Sequence, residues 1–413
     1  MIPSRLLQIP EIAIFDTPSV DAKQINFELR QYENSRVTFV FDPAVKRAHG
    51  PLVDVIESSL NIVSVCQLDE PEPKRTSIEA AAVVARLNLA DCVVSLGGGS
   101  TIDTAKGICH LAKHPRTLPD TFETPGAFAT ALPHVSFPTT AGPGAELSPA
   151  MVFRLEDNRK NAIVDPRLIP SRIIVIPQLA TSLPVFETAC TVMDGVCHSL
   201  ESVLTPNCPN LAYELGTSAL RTFLTALPLC LSDVRNVAYR AHLANASILS
   251  ALGLRMSGVG AAHSLAGPLS PYVSVPHGAL VATILLSLLS EFPLESEPLQ
   301  LVSLSRAAGA SDWANLYRKL QSILATTILA QIPMAQRLNC DIDIGRLAFE
   351  AARDSRICNH PRIITTEIIE KVYSHVLSLL QTGSINNAAN MRSSKSPIPQ
   401  STDRAIREFR WAP

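Results

Sequence analysis

What this 413-residue chain lacks narrows its class at once. It has nine cysteines but no C-x-x-C pair, so neither a disulfide framework nor a zinc ribbon is expected, and the thiols read as small buried hydrophobes in a reducing compartment. Its 35 Lys and Arg residues against 37 Asp and Glu give a net charge of −2 with no dense basic stripe, which argues against nucleic acid and anionic membrane as partners. No apolar run is long enough to span a bilayer; Leu280 to Leu289 is too short. The opening Met1-Ile2-Pro3-Ser4-Arg5 lacks a basic segment followed by an apolar stretch, and Trp411-Ala412-Pro413 matches no retention or peroxisomal address, so a cytoplasmic location is expected. No internal repeat is visible.

The material present is that of a large core. The apolar share is 46%, and the length exceeds what one core usually serves, so two domains are expected. Arg36 to Phe41, Leu60 to Val65, Ala90 to Leu96, Phe137-Pro138 and Arg172 to Ile176 are short β-rich runs, and Ser77 to Leu87 is a helical pattern between two of them. That alternation predicts a parallel sheet with helices on both faces over residues 1–182. From Leu183-Pro184 the periodicity turns helical, as in Ala212 to Ala226, Val237 to Leu252 and His277 to Ser290, predicting an all-α domain over 183–382. Residues 383–413, with Asn-Asn and Ser-Ser-Lys-Ser-Pro among them, are too polar to bury and read as a mobile tail.

Gly97-Gly98-Gly99-Ser100 follows the third strand and precedes a helical stretch. Glycines let backbone approach a pyrophosphate, and a helix N-terminus offers free N–H groups and partial positive charge, so a nucleotide phosphate is the natural ligand. Asp103 is expected to cap the first turn of that helix and border the nucleotide. The turn is not G-x-G-x-x-G, and the best ribose-binding acid, Asp42, precedes the glycines rather than following them. A carboxylate there would bond ribose hydroxyls and repel a 2′-phosphate, favouring NAD(H) over NADP(H); the alternative is that Asp42 simply opens a turn. The loop Phe137 to Glu146 places Thr139 and Thr140 as donors to the same dinucleotide, unless it is an ordinary turn-rich loop.

Asp194 and His198, four apart on a predicted helix, leave one face together, and His263 and His277 could complete a divalent-metal site. One carboxylate with three imidazoles suits Fe(II) or Zn(II) better than Ca(II) or Mg(II). A pair at this spacing is also a common salt bridge or two solvated side chains.

These motifs in this order, Gly97-Gly98-Gly99-Ser100-x-x-Asp103-x-x-Lys106, Pro138-Thr139-Thr140-Ala141-Gly142, Met193-Asp194-x3-His198, His263 and Pro276-His277-Gly278, resemble the iron-containing (group III) alcohol dehydrogenases of the dehydroquinate synthase-like superfamily. The resemblance spans roughly Val37 to Leu380. It implies a Rossmann-like NAD-binding domain, an all-helical metal-binding domain and a cleft between them, with Met151 and Phe153 as candidates for the cleft wall. It implies Asp194, His198, His263 and His277 as metal ligands, and Gly97, Gly98, Gly99, Ser100, Thr139, Thr140, Asp42 and Lys160 as holders of NAD. The implied reaction is hydride transfer between NAD(H) and an alcohol or carbonyl substrate, in a chain expected to form a homodimer.

The chain departs from the family pattern in one place. Members commonly carry histidine four residues after the first of the late pair, assigned to proton relay, and here that position is Gly267. Three alternatives follow: a dehydroquinate synthase-like cyclase or lyase, a maleylacetate reductase-like enzyme, or a catalytically weak NAD-binding homologue. His49, His110, His114, His134, His242 and His375 read as surface or packing residues, and His360, in a segment similar to the family's Asn-Pro-Arg signature, as a helix-start residue.

Overall fold

The computed structural model describes residues 9–15, 20–68, 72–114, 117–118, 131–156, 160–206, 208–290, 299–334, 337 and 342–382. Residues 383–413, expected to form a tail, lie outside the described residues.

Six strands, β1 (Glu11–Ile14), β2 (Arg36–Phe41), β3 (Asn61–Gln67), β4 (Cys92–Gly97), β5 (His134–Pro138) and β8 (Arg172–Val175), form one all-parallel sheet in the order β1-β8-β5-β4-β2-β3. β4 and β5 are buried along their whole length, as strands covered on both faces must be. Alternation along β2 divides the core. Val37, Phe39 and Phe41 pack with Ile25 and Leu29 of α1 (Ala22–Leu29) and Val53 and Ile56 of α3 (Gly50–Ser58). Val40 points the other way, toward Ile78 and Ala82 of α4 (Arg75–Leu87) and Ala105 and Ile108 of α5 (Gly99–Leu111). A short helix, α2 (Pro43–Ala48), leaves the end of β2.

An antiparallel hairpin, β6 (Ala150–Arg154) with β7 (Lys160–Val164), escaped the sequence reading, as did β1. Met151 and Phe153, expected on the cleft wall, are instead fully buried against α4 and α5; they alternate with the exposed Val152, so the hairpin turns its apolar face to the core.

Beyond β8 the named elements are helical: α6 (Val185–Leu204), α7 (Asn210–Ser232), α8 (Val237–Ser257), α9 (Ala261–Leu269), α10 (His277–Ser290), α11 (Leu299–Ala307), α12 (Trp313–Ile323), α13 (Ile344–Ala351) and α14 (Thr366–Thr382), with short 3-10 and π segments. α6 is the central rod. It is buried almost continuously from Thr188 to Leu204 and packs on α7, α8 and α10. The two halves meet where Ile173 and Val175 of β8 touch Ile248 and Ala251 of α8, and Met1–Gly383 forms one compact unit. No described helix is long and apolar enough to cross a membrane.

Candidate active site

The chain runs from β2 outward to β3, then from β4 in the opposite direction to β5, so the order reverses between β2 and β4. Parallel sheets bind ligands in the crevice opened at such a point, beyond the carboxyl ends of the strands. Asp42 stands at the end of β2 and Gly97 to Gly99 at the end of β4, linked by the Asp42 N–H donating to the Leu96 carbonyl at 3.0 Å. Gly98 is the N-cap of α5, and no side chain caps that helix, which leaves its first N–H groups for a ligand. A methyl group on Gly97 would lie 2.2 Å from Thr101 Oγ1, and one on Gly98 3.0 Å from Thr140 Cγ2. The turn is therefore tight against the loop after β5, where the Thr139 N–H donates to the Gly97 carbonyl at 3.0 Å.

The remaining nucleotide-side residues are held as follows. Asp42 opens α2 in extended geometry, with Oδ1 accepting from the Ala44 N–H at 2.8 Å. Ser100 Oγ accepts from the N–H of Glu72 at 3.1 Å, and Lys160 pairs with Glu72 Oε1 at 2.5 Å. Asp103 does not cap its helix. Its Oδ2 accepts from the Val152 N–H at 3.0 Å and its Oδ1 lies 3.3 Å from Lys106 Nζ. Lys106, fully buried, donates to the carbonyls of Ala145, Ser148 and Ala150 at 2.8, 3.0 and 2.5 Å. Five residues into α5, Asp103 is past the orphan N–H groups, and its carboxylate instead neutralises a buried ammonium that fastens the 145–150 loop.

On the helical side Asp194, His198 and Glu201 occupy one face of α6. His263 sits in the first turn of α9 and His277 begins α10. Donor atoms of Asp194, His263 and His277 lie within 4.8 Å of one another. His198 flanks that group, its ring stacked on His263 with centroids 4.6 Å apart and planes at 26°; its donor stands outside the trio. Two glycines permit the convergence: a methyl on Gly278 would fall 2.1 Å from the Cys190 carbonyl oxygen, and one on Gly260 2.6 Å from the Glu201 carboxylate.

Asp194 Oδ1, His198 Nδ1 and His263 Nε2 are buried without a hydrogen-bond partner. Buried polar atoms are rarely left so, and a carboxylate with imidazoles is the donor set of a borderline transition ion such as Fe(II) or Zn(II). The residues fit a divalent metal. Burial alone would raise Asp194, but His198, His263 and His277 around it hold its carboxyl well below the usual range. Burial pushes His198 down to about 4. His263 feels the same burial, but the carboxylates of Glu201 and Asp194 overcome it and hold the ring up at about 10.

The sequence reading missed Glu201 as a site residue, although its position seven after Asp194 puts it on the ligand face. It is buried, and its Oε2 lies 2.6 Å from His263 Nδ1. It also missed Glu72, a non-glycine residue at φ 61, whose charge together with that of Lys160 acts on His277. His360 is no helix-start residue: it is buried in the turn between the 3-10 segment Ser355–Cys358 and α14, where Nδ1 accepts from the Arg362 N–H at 3.2 Å. Gly267 is exposed on α9, and a side chain there would meet nothing within 4 Å.

The two clusters share a border. Gly142 in the 139–144 loop has φ 142, and a methyl on it would sit 1.7 Å from the Thr191 carbonyl oxygen, while its N–H donates to Ser247 Oγ at 2.8 Å. The loop that flanks the glycine turn thus lies on α6 three residues before Asp194.

Comparison with known proteins identifies the family and the fold. The family model for iron-containing alcohol dehydrogenase matches residues 13–177, and that for the family's C-terminal domain matches 188–377. The long-chain-alcohol dehydrogenase 1 of Geobacillus thermodenitrificans is 30% identical over 62% of this chain and 66% of its own length, just under two thirds. The 1-propanol dehydrogenase of Salmonella typhimurium is 26% identical over 84% of this chain and 95% of its own. Among solved structures, the sulfoacetaldehyde reductase of Bifidobacterium kashiwanohense in complex with NAD+ has the same fold, with a TM-score of 0.76 at 22% identity, covering 89% of this chain and 97% of that one. The chain belongs to the iron-containing alcohol dehydrogenase family.

Proposed function

We propose that this protein interconverts an alcohol and an aldehyde or ketone by hydride exchange with NAD(H), assisted by Fe(II) or Zn(II) held by Asp194, His198, His263 and His277. The observation that carries this reading is the border at Gly142: the uncapped glycine turn that suits a dinucleotide and the orphaned donors that suit a metal meet across one loop. A bound metal supplies Lewis-acid polarisation of a carbonyl oxygen, worth several kcal/mol of charge stabilisation.

The chain's own residues divide the remaining work. The α5 N-terminus and Gly97 to Gly99 receive the pyrophosphate, and Thr139 and Thr140 line its other side. Asp42 keeps one carboxylate oxygen in the Ala44 cap and offers the other to ribose hydroxyls, which supports NAD(H) over NADP(H). Lys160 can exchange Glu72 for a cofactor phosphate. The 1-propanol and long-chain-alcohol dehydrogenases among its relatives support an alcohol or carbonyl substrate, and Gly267 leaves room beside His263 for one bulkier than the family pattern admits. A cytoplasmic homodimer completes the reading, the dimer being the commonest closed assembly.

The test is NADH oxidation over a panel of aldehydes and ketones, on protein prepared without oxygen, with and without Fe(II) or Zn(II). Metal-dependent consumption is expected. Binding of both metal and NADH without consumption of any carbonyl would reject the reading in favour of a non-catalytic homologue.

A further inference from the structure

Glu201 makes contacts out of proportion to an ordinary helix residue. Its Oε1 accepts from the N–H groups of Ala262 at 2.7 Å and His263 at 3.4 Å, and its Oε2 accepts from the Gly260 N–H at 3.2 Å. That seals the otherwise uncapped N-terminus of α9, where a negative charge is favoured. Both of its oxygens thus accept from backbone N–H groups, the pattern of a carboxylate that is an acceptor only, and the atom 2.6 Å away, His263 Nδ1, must carry a proton. The opposite nitrogen, Nε2, is the buried orphan nearest Asp194, 3.4 Å from Oδ1.

From this we infer that Glu201 is a positioning residue. It locks His263 in the tautomer and orientation that present the Nε2 lone pair to the metal, and it ties that histidine, on α9, to the helix carrying Asp194 and His198. The inference rests on the metal reading above. The carboxylate does two jobs that a glutamine cannot do together. In Glu201→Gln, if the single amide oxygen keeps the α9 cap, the NH2 faces His263 Nδ1. Nδ1 must then accept, the proton moves to Nε2, and the ligand is blocked.

The test is competition for Zn(II) against a chromophoric chelator, run on the full chain and on Glu201→Gln, with NADH binding followed in both as a check of fold at a site Glu201 does not touch. Outer-shell partners of metal-bound histidines typically govern affinity by about 10–100-fold, and a loss of that size with NADH binding retained is expected. Equal Zn(II) affinity in the two proteins would overturn the positioning role while leaving the metal site standing. Absence of Zn(II) binding in the wild type would instead remove the metal reading itself. Should the variant lose NADH binding, the wild type decides alone: nitrogen-15 spectra of its Zn(II)-loaded imidazoles must show His263 protonated at Nδ1 and bound through Nε2, and the reverse tautomer refutes the proposal.

Discussion

The sheet half and the helical half build their candidate ligand sites in opposite ways. At the end of β4 the working parts are backbone: glycines that make room, a helix start left without a side-chain cap, and a neighbouring loop hydrogen-bonded to the same turn. On α6, α9 and α10 the working parts are side chains brought together from separate helices, Asp194 buried, His263 half-buried and His277 exposed, with donor atoms of Asp194, His198 and His263 unsatisfied. A backbone site accepts a large polyanion and tolerates varied side chains around it. A side-chain site is selective for one small cation and depends on every partner. Gly142 on Thr191 joins the two.

The comparison breaks most visibly at Asp194. Asp194→Ala should abolish metal retention and cut turnover by roughly 10³-fold, the several kcal/mol that Lewis-acid assistance supplies, while NADH fluorescence titration finds cofactor binding unchanged. Unchanged turnover would dissolve the distinction between the halves.

Gly142→Ala attacks the border instead of either site. A methyl 1.7 Å from a carbonyl oxygen at φ 142 should cost about 3 kcal/mol in denaturant unfolding, by overpacking together with backbone strain, and should weaken metal and NADH binding together. Loss of only one would show the halves to be independent.

Histidines sharpen the contrast by pH. In the sheet half, burial lowers His134 to about 3 and His110 to about 4, from an ordinary 6.5. Such groups bind a proton in the unfolded chain before they do in the folded one, so their stabilising effect is complete above pH 6.5 and is lost as pH falls toward the folded values. At pH 5 each should cost about 2 kcal/mol relative to neutral pH. Glu146, pushed up to about 7 by burial, runs the other way and loses stability as pH rises from 4.5 through 7. Thermal unfolding of His134→Gln should show a drop between pH 7.5 and 5 smaller than the wild type by that amount.

Smaller effects test each site alone. Gly98→Val, crowding Thr140 Cγ2, should weaken NADH binding by about tenfold, the effect of ~1.4 kcal/mol, and leave Zn(II) binding intact. Gly267→His should change unfolding free energy by less than about 0.5 kcal/mol, since the site is exposed and open. It should also raise turnover of small aldehydes by at least about tenfold if proton relay is limiting, a modest share of what general acid catalysis supplies.

Where sequence and structure agree, the signal is periodic or compositional. β2 spans the Arg36–Phe41 run, and α10 spans His277–Ser290, because a short β-branched and aromatic run and a long apolar helical run mark elements buried on both faces or all round. Residue type singled out Asp194, His263 and His277 as candidates, since few structural needs call for these donors together, and the structure brings the three within reach of one another. Other features depend on what arrives from afar. Met151 and Phe153 look alike in sequence whether they face a cleft or a core, and only the packing of α5 behind the hairpin decides. Asp103 reads as a first-turn cap until Lys106 and Val152 claim its carboxylate. Glu201 resembles a solvated helix charge until α9 starts beside it, its Ala262 partner lying 61 residues further along.

The central claim, metal-dependent chemistry at the site formed by Asp194, His198, His263 and His277, is tested most directly by measuring bound metal and NADH oxidation in the same anaerobic samples of wild type and Asp194→Ala. One divalent ion per wild-type chain, with carbonyl-dependent NADH oxidation that disappears with the metal in the variant, is the predicted result. Full NADH oxidation in a variant that holds no metal would contradict the account.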